Sequence, residues 1–154
     1  MTYAFDICLK NRQLLEKLIN NHTVAQLNKV PEGFNNNIIW NIGHSIVTQQ
    51  LLVYGLSGQT ITLDPDLIAT YRKGSKPQEA ISLEAIDHLK ALLYSTLEQL
   101  VQDYKNDTFA TFKSYTLGTT GGVLDTVEQA IEFNNFHEGL HLGYSMALSR
   151  IVRT

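Results

Sequence analysis

The sequence predicts an all-α fold, namely a four-helix bundle whose helices are joined by long crossover loops. Four segments repeat apolar residues at steps of three and four, which is the period of an α-helix. The three prolines all lie between these segments, where a residue that breaks helices is tolerated. No set of alternating segments is large enough to form a sheet. We therefore expect a single bundle domain over residues 1–154.

The first two helices are predicted over residues 3–20 and 37–55. In the first, charged residues separate the apolar positions, which is typical of a helix with one face in the core. The second follows a run of asparagines ending at Asn37, which supplies an N-cap, and it ends at Gly55. This second segment is apolar nearly all round, so we expect it to be buried on more than one side.

The third helix is predicted over residues 83–105, with Ser82 as its N-cap. The fourth is predicted over residues 126–151, because Asp125 and Glu128 have the spacing of a capping box just before a long apolar pattern. Basic residues near the end of this segment suit the negative end of the helix dipole.

The connections between these helices are long, which in a compact domain often marks a functional loop. Thr23 and Gln26 have capping-box spacing and predict a helical turn in the first connection. Alternation over residues 108–116 predicts a short hairpin strand. The charged stretch 72–76 is predicted to be a solvated loop.

The composition excludes several classes of protein. With 44% apolar and 18% charged residues the chain is globular, and its net charge of −3 argues against a nucleic-acid partner. The lone cysteine, Cys8, excludes a disulfide framework and a cysteine-rich zinc module, and its place on an apolar helix face indicates packing. No apolar run approaches the roughly 18 residues of a membrane span. We expect a cytoplasmic protein without a membrane partner.

Two histidines, His137 and His141, lie four residues apart on the predicted fourth helix. Residues at that spacing differ by about 40° in direction and about 6 Å along the axis, so both rings can reach one metal ion. They lie on the interior stripe of this helix, where buried polar groups need partners. A metal ion would satisfy both rings, and a hydrogen-bonded pair or a surface pair is the alternative.

His44 offers a third imidazole from the buried second helix, one turn after Trp40. A lone histidine on an apolar face is more often a hydrogen-bonded core residue, but facing helices of a bundle are where metal sites are built. Three histidines leave a fourth coordination position open, as in catalytic sites. We therefore predict that His44, His137 and His141 bind one divalent metal ion. Imidazole nitrogen suits zinc, nickel, copper and iron alike.

The run from His137 to His141 also has the His-Glu-x-x-His spacing of zincin proteases, in which the glutamate is the general base. The extended form of that motif needs a glycine and a further histidine where this chain has Tyr144 and Ala147. We therefore disfavour a protease. A catalytic role of Glu138 as a base stays open, beside a solvent-facing position or the orientation of a neighbour.

The open coordination position is predicted to face a pocket beside Trp40, Asn134 and Tyr144. Trp40 and Tyr144 each lie about one turn from a proposed ligand, so their rings can wall the cavity. Asn134 lies one turn before a ligand and can orient its imidazole. The loop over residues 106–124 carries aromatic residues and glycines, which suit a mobile cover for the pocket.

Two runs of the sequence together resemble the DinB-like superfamily, which includes the YfiT-type proteins and the bacillithiol S-transferases. They are Trp40-Asn41-Ile42-Gly43-His44 and Phe136-His137-Glu138-Gly139-Leu140-His141-Leu142-Gly143. The resemblance covers nearly the whole chain. It implies a four-helix bundle with a long crossover, a homodimer, and a site at His44, His137 and His141 that holds zinc or nickel. Some members of the superfamily transfer a low-molecular-weight thiol onto electrophilic substrates.

The leading hypothesis for function is a metal-dependent enzyme that acts on a small-molecule substrate and is thiol S-transferase-like or hydrolase-like. A metal can present a bound thiol as thiolate, and the same site can activate water. The cofactors would be a divalent metal ion, zinc or nickel, and a low-molecular-weight thiol as cosubstrate. The alternatives are a non-catalytic bundle that binds metal or a small ligand, and histidines with a purely structural role.

Overall fold

The fold is a bundle of long helices, seen in a computed structural model that describes residues 1–153. In chain order the helices are α1 (Thr2–Asn20), α2 (Val24–Asn28), α3 (Ile38–Gln50), α4 (Pro65–Tyr71), α5 (Leu83–Lys105) and α6 (Val127–Val152). The four long ones, α1, α3, α5 and α6, pack together, whereas α2 and α4 lie in the connections. The predicted all-α four-helix bundle is confirmed.

Side-chain caps begin the helices largely where the sequence predicts them. Thr23 and Gln26 form the expected capping box at α2, and Ser82 accepts a hydrogen bond from the first turn of α5. The cap predicted for α6 is wrong. Thr126 caps this helix instead, accepting from the backbone N–H of Gln129, and the side chain of Gln129 accepts from the backbone N–H of Asp125, the residue before the cap.

The second predicted helix is confirmed, but its last turn is wider than an α-helix. Residues Leu51–Gly55 continue α3 as a π-helical turn. The following connection contains α4, which the sequence analysis assigned to a loop. Asp64 caps α4 and Pro65 occupies its first position, where the missing N–H of proline costs nothing. The sequence pattern marks this proline as a helix breaker, whereas in the structure it is the first residue of a short helix.

The connection before α6 folds back as a small hairpin. Strand β1 (Tyr115–Thr116) pairs antiparallel with β2 (Val123–Leu124), at the end of the stretch predicted to hold a strand. The loop is anchored by the backbone N–H of Lys113, which donates to the carbonyl of Leu56 at 2.7 Å. The hairpin is therefore held against the end of the π-helical turn.

The helix α3 is the centre of the bundle. All of its residues except Thr48 are buried, as its all-round apolar sequence predicts. It packs against α6, α5, α4 and α2, so that its polar side chains meet neighbours rather than solvent. No helix within residues 1–153 is long and apolar enough to cross a membrane.

A buried ion pair joins the other three long helices. Arg12 of α1 contacts Glu138 of α6 at 3.0 Å, and the two side chains are each 1% exposed. The same guanidinium donates to the carbonyl of Leu93 at 2.6 Å and to the hydroxyl of Thr96 at 2.7 Å, both on α5. Asn134 donates to the carboxylate from one turn earlier on α6. Both charges are therefore paired and hydrogen-bonded, as burial requires.

We predict that Glu138→Gln lowers the free energy of unfolding by about 3–5 kcal/mol, because it leaves the Arg12 charge buried and uncompensated. Urea unfolding followed by circular dichroism measures the loss. The matched control is Glu132→Gln, an exposed position of the same helix, which should change stability by less than about 0.5 kcal/mol. The double variant R12M/E138L should recover most of the loss, because it removes both charges together. A Glu138→Gln protein as stable as the control would refute this account.

Candidate metal centre

Three histidines from two helices meet inside the bundle. One ligand atom each from His44 on α3 and from His137 and His141 on α6 lie within 4.8 Å of one another. Nitrogens bound to one zinc ion at about 2.1 Å in tetrahedral geometry lie roughly 3.4 Å apart. Small movements of the rings therefore suffice to bring all three nitrogens to one ion.

The ring of His44 is oriented by the backbone of α4. Its Nδ1 atom lies 2.7 Å from the carbonyl oxygen of Tyr71. A carbonyl can only accept, so Nδ1 carries the proton and the lone pair lies on Nε2, where the hydroxyl of Thr48 is 3.3 Å away. Trp40 stacks on the other side of the ring, with 4.8 Å between centroids and 9° between planes. Position and tautomer of this imidazole are both determined before any ion binds.

Gly43 allows α4 to reach that position. A Cβ atom on Gly43 would lie 2.5 Å from the ring of Tyr71, so any side chain there would push α4 away from α3. The carbonyl that orients His44 belongs to the same tyrosine. The glycine in the Trp40–His44 run is thus explained by the close approach of two helices.

The ring of His141 is oriented by a side-chain amide. Its Nδ1 atom lies 2.7 Å from Oδ1 of Asn41, and the amide nitrogen of Asn41 donates to the carbonyl of Asn37 at 2.7 Å. Because the amide nitrogen is engaged as a donor, the amide oxygen faces His141 and accepts from Nδ1. The remaining nitrogen, Nε2, is therefore the one free to bind a cation. Contacts of this kind are typical of the groups that support metal ligands.

His137 has no such support. Its Nδ1 atom is buried and has no hydrogen-bond partner within residues 1–153. A buried nitrogen without a partner costs on the order of 1–3 kcal/mol, which coordination of a cation through that atom would remove. The donor set and this unpaired nitrogen both fit a divalent metal ion.

The cluster provides neutral imidazoles at physiological pH. Burial, reinforced by the two neighbouring histidines, lowers the pKa of His137 to about 3, and burial with His44 lowers the pKa of His141 to about 4. Burial also lowers the pKa of His44, with a further contribution from the positive charge of Lys73, against the bond to Tyr71, which raises it. Unprotonated nitrogens are the form that binds a metal.

The structure places the predicted base, Glu138, in another part of the molecule. Its carboxylate accepts from Arg12 and Asn134 and also contacts the thiol of Cys8. Neighbouring side chains on a helix point about 100° apart, so Glu138 faces α1 while His137 faces α3. The geometry thus assigns this glutamate to the buried ion pair rather than to the histidine cluster.

The three residues predicted to line the pocket do not line the cavity beside the histidines. Trp40 instead donates from its indole N–H to Ser75 at 3.1 Å and lines a separate cavity. Asn134 is buried and bonded to Glu138, and Tyr144 is 39% exposed and packs edge-on against Phe34. Each of these residues lies about one turn from a proposed ligand, but that spacing alone does not determine which way its side chain points.

The cavity that does reach the cluster has a volume of about 250 Å³. His44 and His137 line it, and the 106–124 loop forms part of its wall, as predicted. The other lining residues are Thr48, Leu51, Leu52, Leu56, Lys73, Tyr115, Leu117, Gly118, Thr119 and Phe133. Sequence reasoning missed Lys73, because a charged loop carries no local sign that it folds over a cavity.

Comparison with known proteins agrees with this geometry. A family model described as the DinB superfamily matches residues 9–145, a range that includes all three histidines and Asn41. No curated protein sequence matches the chain.

We predict that Ni²⁺ or Co²⁺ quenches the fluorescence of Trp40, the only tryptophan, because its ring stacks on a ligand. Titration of metal-free protein should saturate at one ion per chain. His141→Ala should abolish the effect, and Asn41→Ala should weaken affinity by about 10–100-fold. His88→Ala, an exposed histidine outside the cluster, is the control and should bind as wild type does. Equal quenching in His141→Ala would argue against a shared ion.

We also predict that acid destabilises the metal-free protein. The unfolded imidazole of His137 has a pKa near 6.5, whereas the fold lowers it to about 3, so the unfolded state binds the proton more readily. The free energy of unfolding should therefore fall as the pH drops below about 6.5, by on the order of 2 kcal/mol from pH 7 to 4.5. Urea unfolding with chelator present measures the fall. His137→Gln should show a shallower dependence, and an equal slope would contradict the assignment.

Proposed function

This chain belongs to the DinB superfamily, and we propose that it is a metal-dependent enzyme that transfers a low-molecular-weight thiol to a small electrophilic substrate. One observation carries the proposal. Three neutral imidazoles converge, and two of them, His44 and His137, line a cavity, so that three protein ligands would leave a coordination position open beside it. Structural sites, by contrast, are usually closed by four protein ligands.

The chemistry follows from the donor set. A divalent cation held by His44, His137 and His141, zinc or nickel by ligand type, would lower the pKa of a bound thiol or water and favour its nucleophilic form. The protein itself supplies position and a water-poor setting. Asn41 and Tyr71 hold two of the rings, and leucines and a phenylalanine line much of the cavity.

The cysteine of the protein is unsuited to the role of the reacting thiol. Cys8 is 2% exposed, and its sulfur lies 3.6 Å from a carboxylate oxygen of Glu138. Burial, together with that negative charge, raises the pKa of the Cys8 thiol to about 12. A thiolate is the reactive form, and this thiol stays protonated at neutral pH. Thiol transfer therefore requires a separate thiol molecule, which supports a thiol cosubstrate.

Hydrolysis is less well supported as the activity of this site than thiol transfer. The cavity lining in the described chain contains no carboxylate that could serve as a general base beside the cluster. A thiol already presented as thiolate needs no such base, whereas hydrolysis is usually assisted by one. The same observation favours, as the second candidate, a non-catalytic bundle that binds a metal and a small ligand.

The homodimer implied by the family resemblance stays a prediction. Large apolar side chains are exposed along α6, namely Phe136, Leu140 and Met146, each at 47% or more. Exposed apolar side chains on a helix can contribute to an interface between two copies, and this feature supports the expectation.

The test of function is the conjugation of small thiols to a chromogenic electrophile such as 1-chloro-2,4-dinitrobenzene. Zinc- or nickel-loaded wild type should accelerate the reaction over the buffer rate, and chelation or His141→Ala should remove the acceleration, a loss of at least about a hundredfold. Cys8→Ala should retain it, because that thiol takes no part. Activity that survives both chelation and His141→Ala would overturn the mechanism. Tight metal binding without turnover of thiols or esters would favour the binding bundle.

A further inference from the structure

Within the described chain, Lys73 is the one basic or acidic residue, apart from the histidines, that lines the cavity beside them. We propose that Lys73 binds an anionic group of the molecule that reacts at the cluster, so that this molecule is a small carboxylate with a short apolar body. The inference rests on the proposed function and adds the substrate class to it. It assigns the 72–76 stretch, which sequence patterning treats as a solvated loop, to recognition.

The backbone places Lys73 close to the cluster. Its neighbour two residues earlier, Tyr71, holds the ring of His44 through a 2.7 Å hydrogen bond. Lys73 therefore follows directly from a point that is tied to a proposed ligand. The lysine and the histidine line the same cavity of about 250 Å³.

Gly118 makes room for the ammonium group on the opposite wall. A Cβ atom at this position would lie 2.8 Å from Nζ of Lys73. The ammonium therefore lies beside the backbone of the 106–124 loop, although Lys73 as a whole is exposed. A methyl group at residue 118 would push the ammonium of Lys73 aside, while the charge of the lysine would stay the same.

The charge of Lys73 has no counter-ion in the described chain. The lysine makes no hydrogen bond or ion pair there, and no carboxylate lines the cavity. Its field reaches the cluster, since it contributes to the lowered pKa of His44. A cavity with one uncompensated cation attracts an anion, and a divalent metal would strengthen that attraction. Tyr115 and Thr119 also line this cavity, and a hydroxyl group is able to donate to an anion.

The rest of the cavity defines the remainder of the ligand. Leu51, Leu52, Leu56, Leu117 and Phe133 line the same cavity as the lysine and the histidines. Such a wall accepts hydrocarbon and gives no partner to further polar groups. A volume of about 250 Å³ lies below the range of drug-sized sites, so the site fits a small molecule or the end of a larger one.

The test compares two thiols of nearly equal shape, 3-mercaptopropionate and its neutral amide. Both are titrated by calorimetry into the zinc-loaded, full-length protein, whose zinc content is measured before and after. Wild type should bind the carboxylate about three- to tenfold more tightly than the amide, and the preference should shrink at high salt. Lys73→Met should bind both equally, and Lys73→Arg should retain the preference.

Two further variants separate position from charge. Gly118→Ala should reduce the preference, because it displaces the ammonium while the lysine remains. Lys76→Met removes a nearby lysine that lines the other cavity, so it should leave the preference intact. Circular dichroism checks that each variant is folded.

The possible outcomes distinguish a failure of the role proposed for Lys73 from a failure of the proposed function. Zinc retained by wild type with equal affinity for the two thiols would overturn the role of Lys73 and leave the metal centre standing. A preference that persists in Lys73→Met would overturn it as well. Wild type that fails to retain zinc would overturn the proposed function and, with it, this inference.

Discussion

One buried ion pair sets the orientation of the helix that carries two of the three histidines. The guanidinium of Arg12 and the carboxylate of Glu138 meet at 3.0 Å with both side chains 1% exposed. Charges that deep have no solvent to replace a lost partner, so the pair restricts the rotation of α6 about its axis. With Glu138 directed at α1, the helical repeat directs His137 and His141 toward α3. The cluster depends on packing at another side of the same helix.

On α3 the constraint comes from close packing instead of charge. Gly43 lets the ring of Tyr71 lie against the helix, and the carbonyl of that tyrosine holds His44. Asn41, on the same helix, holds His141 across the interface. Two rings are therefore oriented by groups that belong to the bundle itself, so the geometry of the centre is as rigid as the packing of α3 against its neighbours.

Local patterns suffice for the helices and the histidine cluster, and they fail for whatever depends on distant residues. Periodicity and caps locate the long helices because both are properties of neighbouring residues. His44, His137 and His141 are predictable since spacing and an apolar setting mark them. Glu138 is not, because its partner Arg12 lies 126 residues away and no local pattern encodes that contact. Part of the cavity wall comes from loops, and a helical wheel cannot say where a loop side chain will lie.

The environment of Cys8 protects its thiol from chemical modification. A site that handled thiols, as proposed, would work among disulfides and electrophiles, which modify any thiolate they can reach. Here the single cysteine is enclosed by the bundle and faces a carboxylate, so it is neither ionised nor accessible. The described chain therefore presents no accessible thiol for mixed-disulfide formation or alkylation while it is folded. Modification of this cysteine would first require the bundle to open.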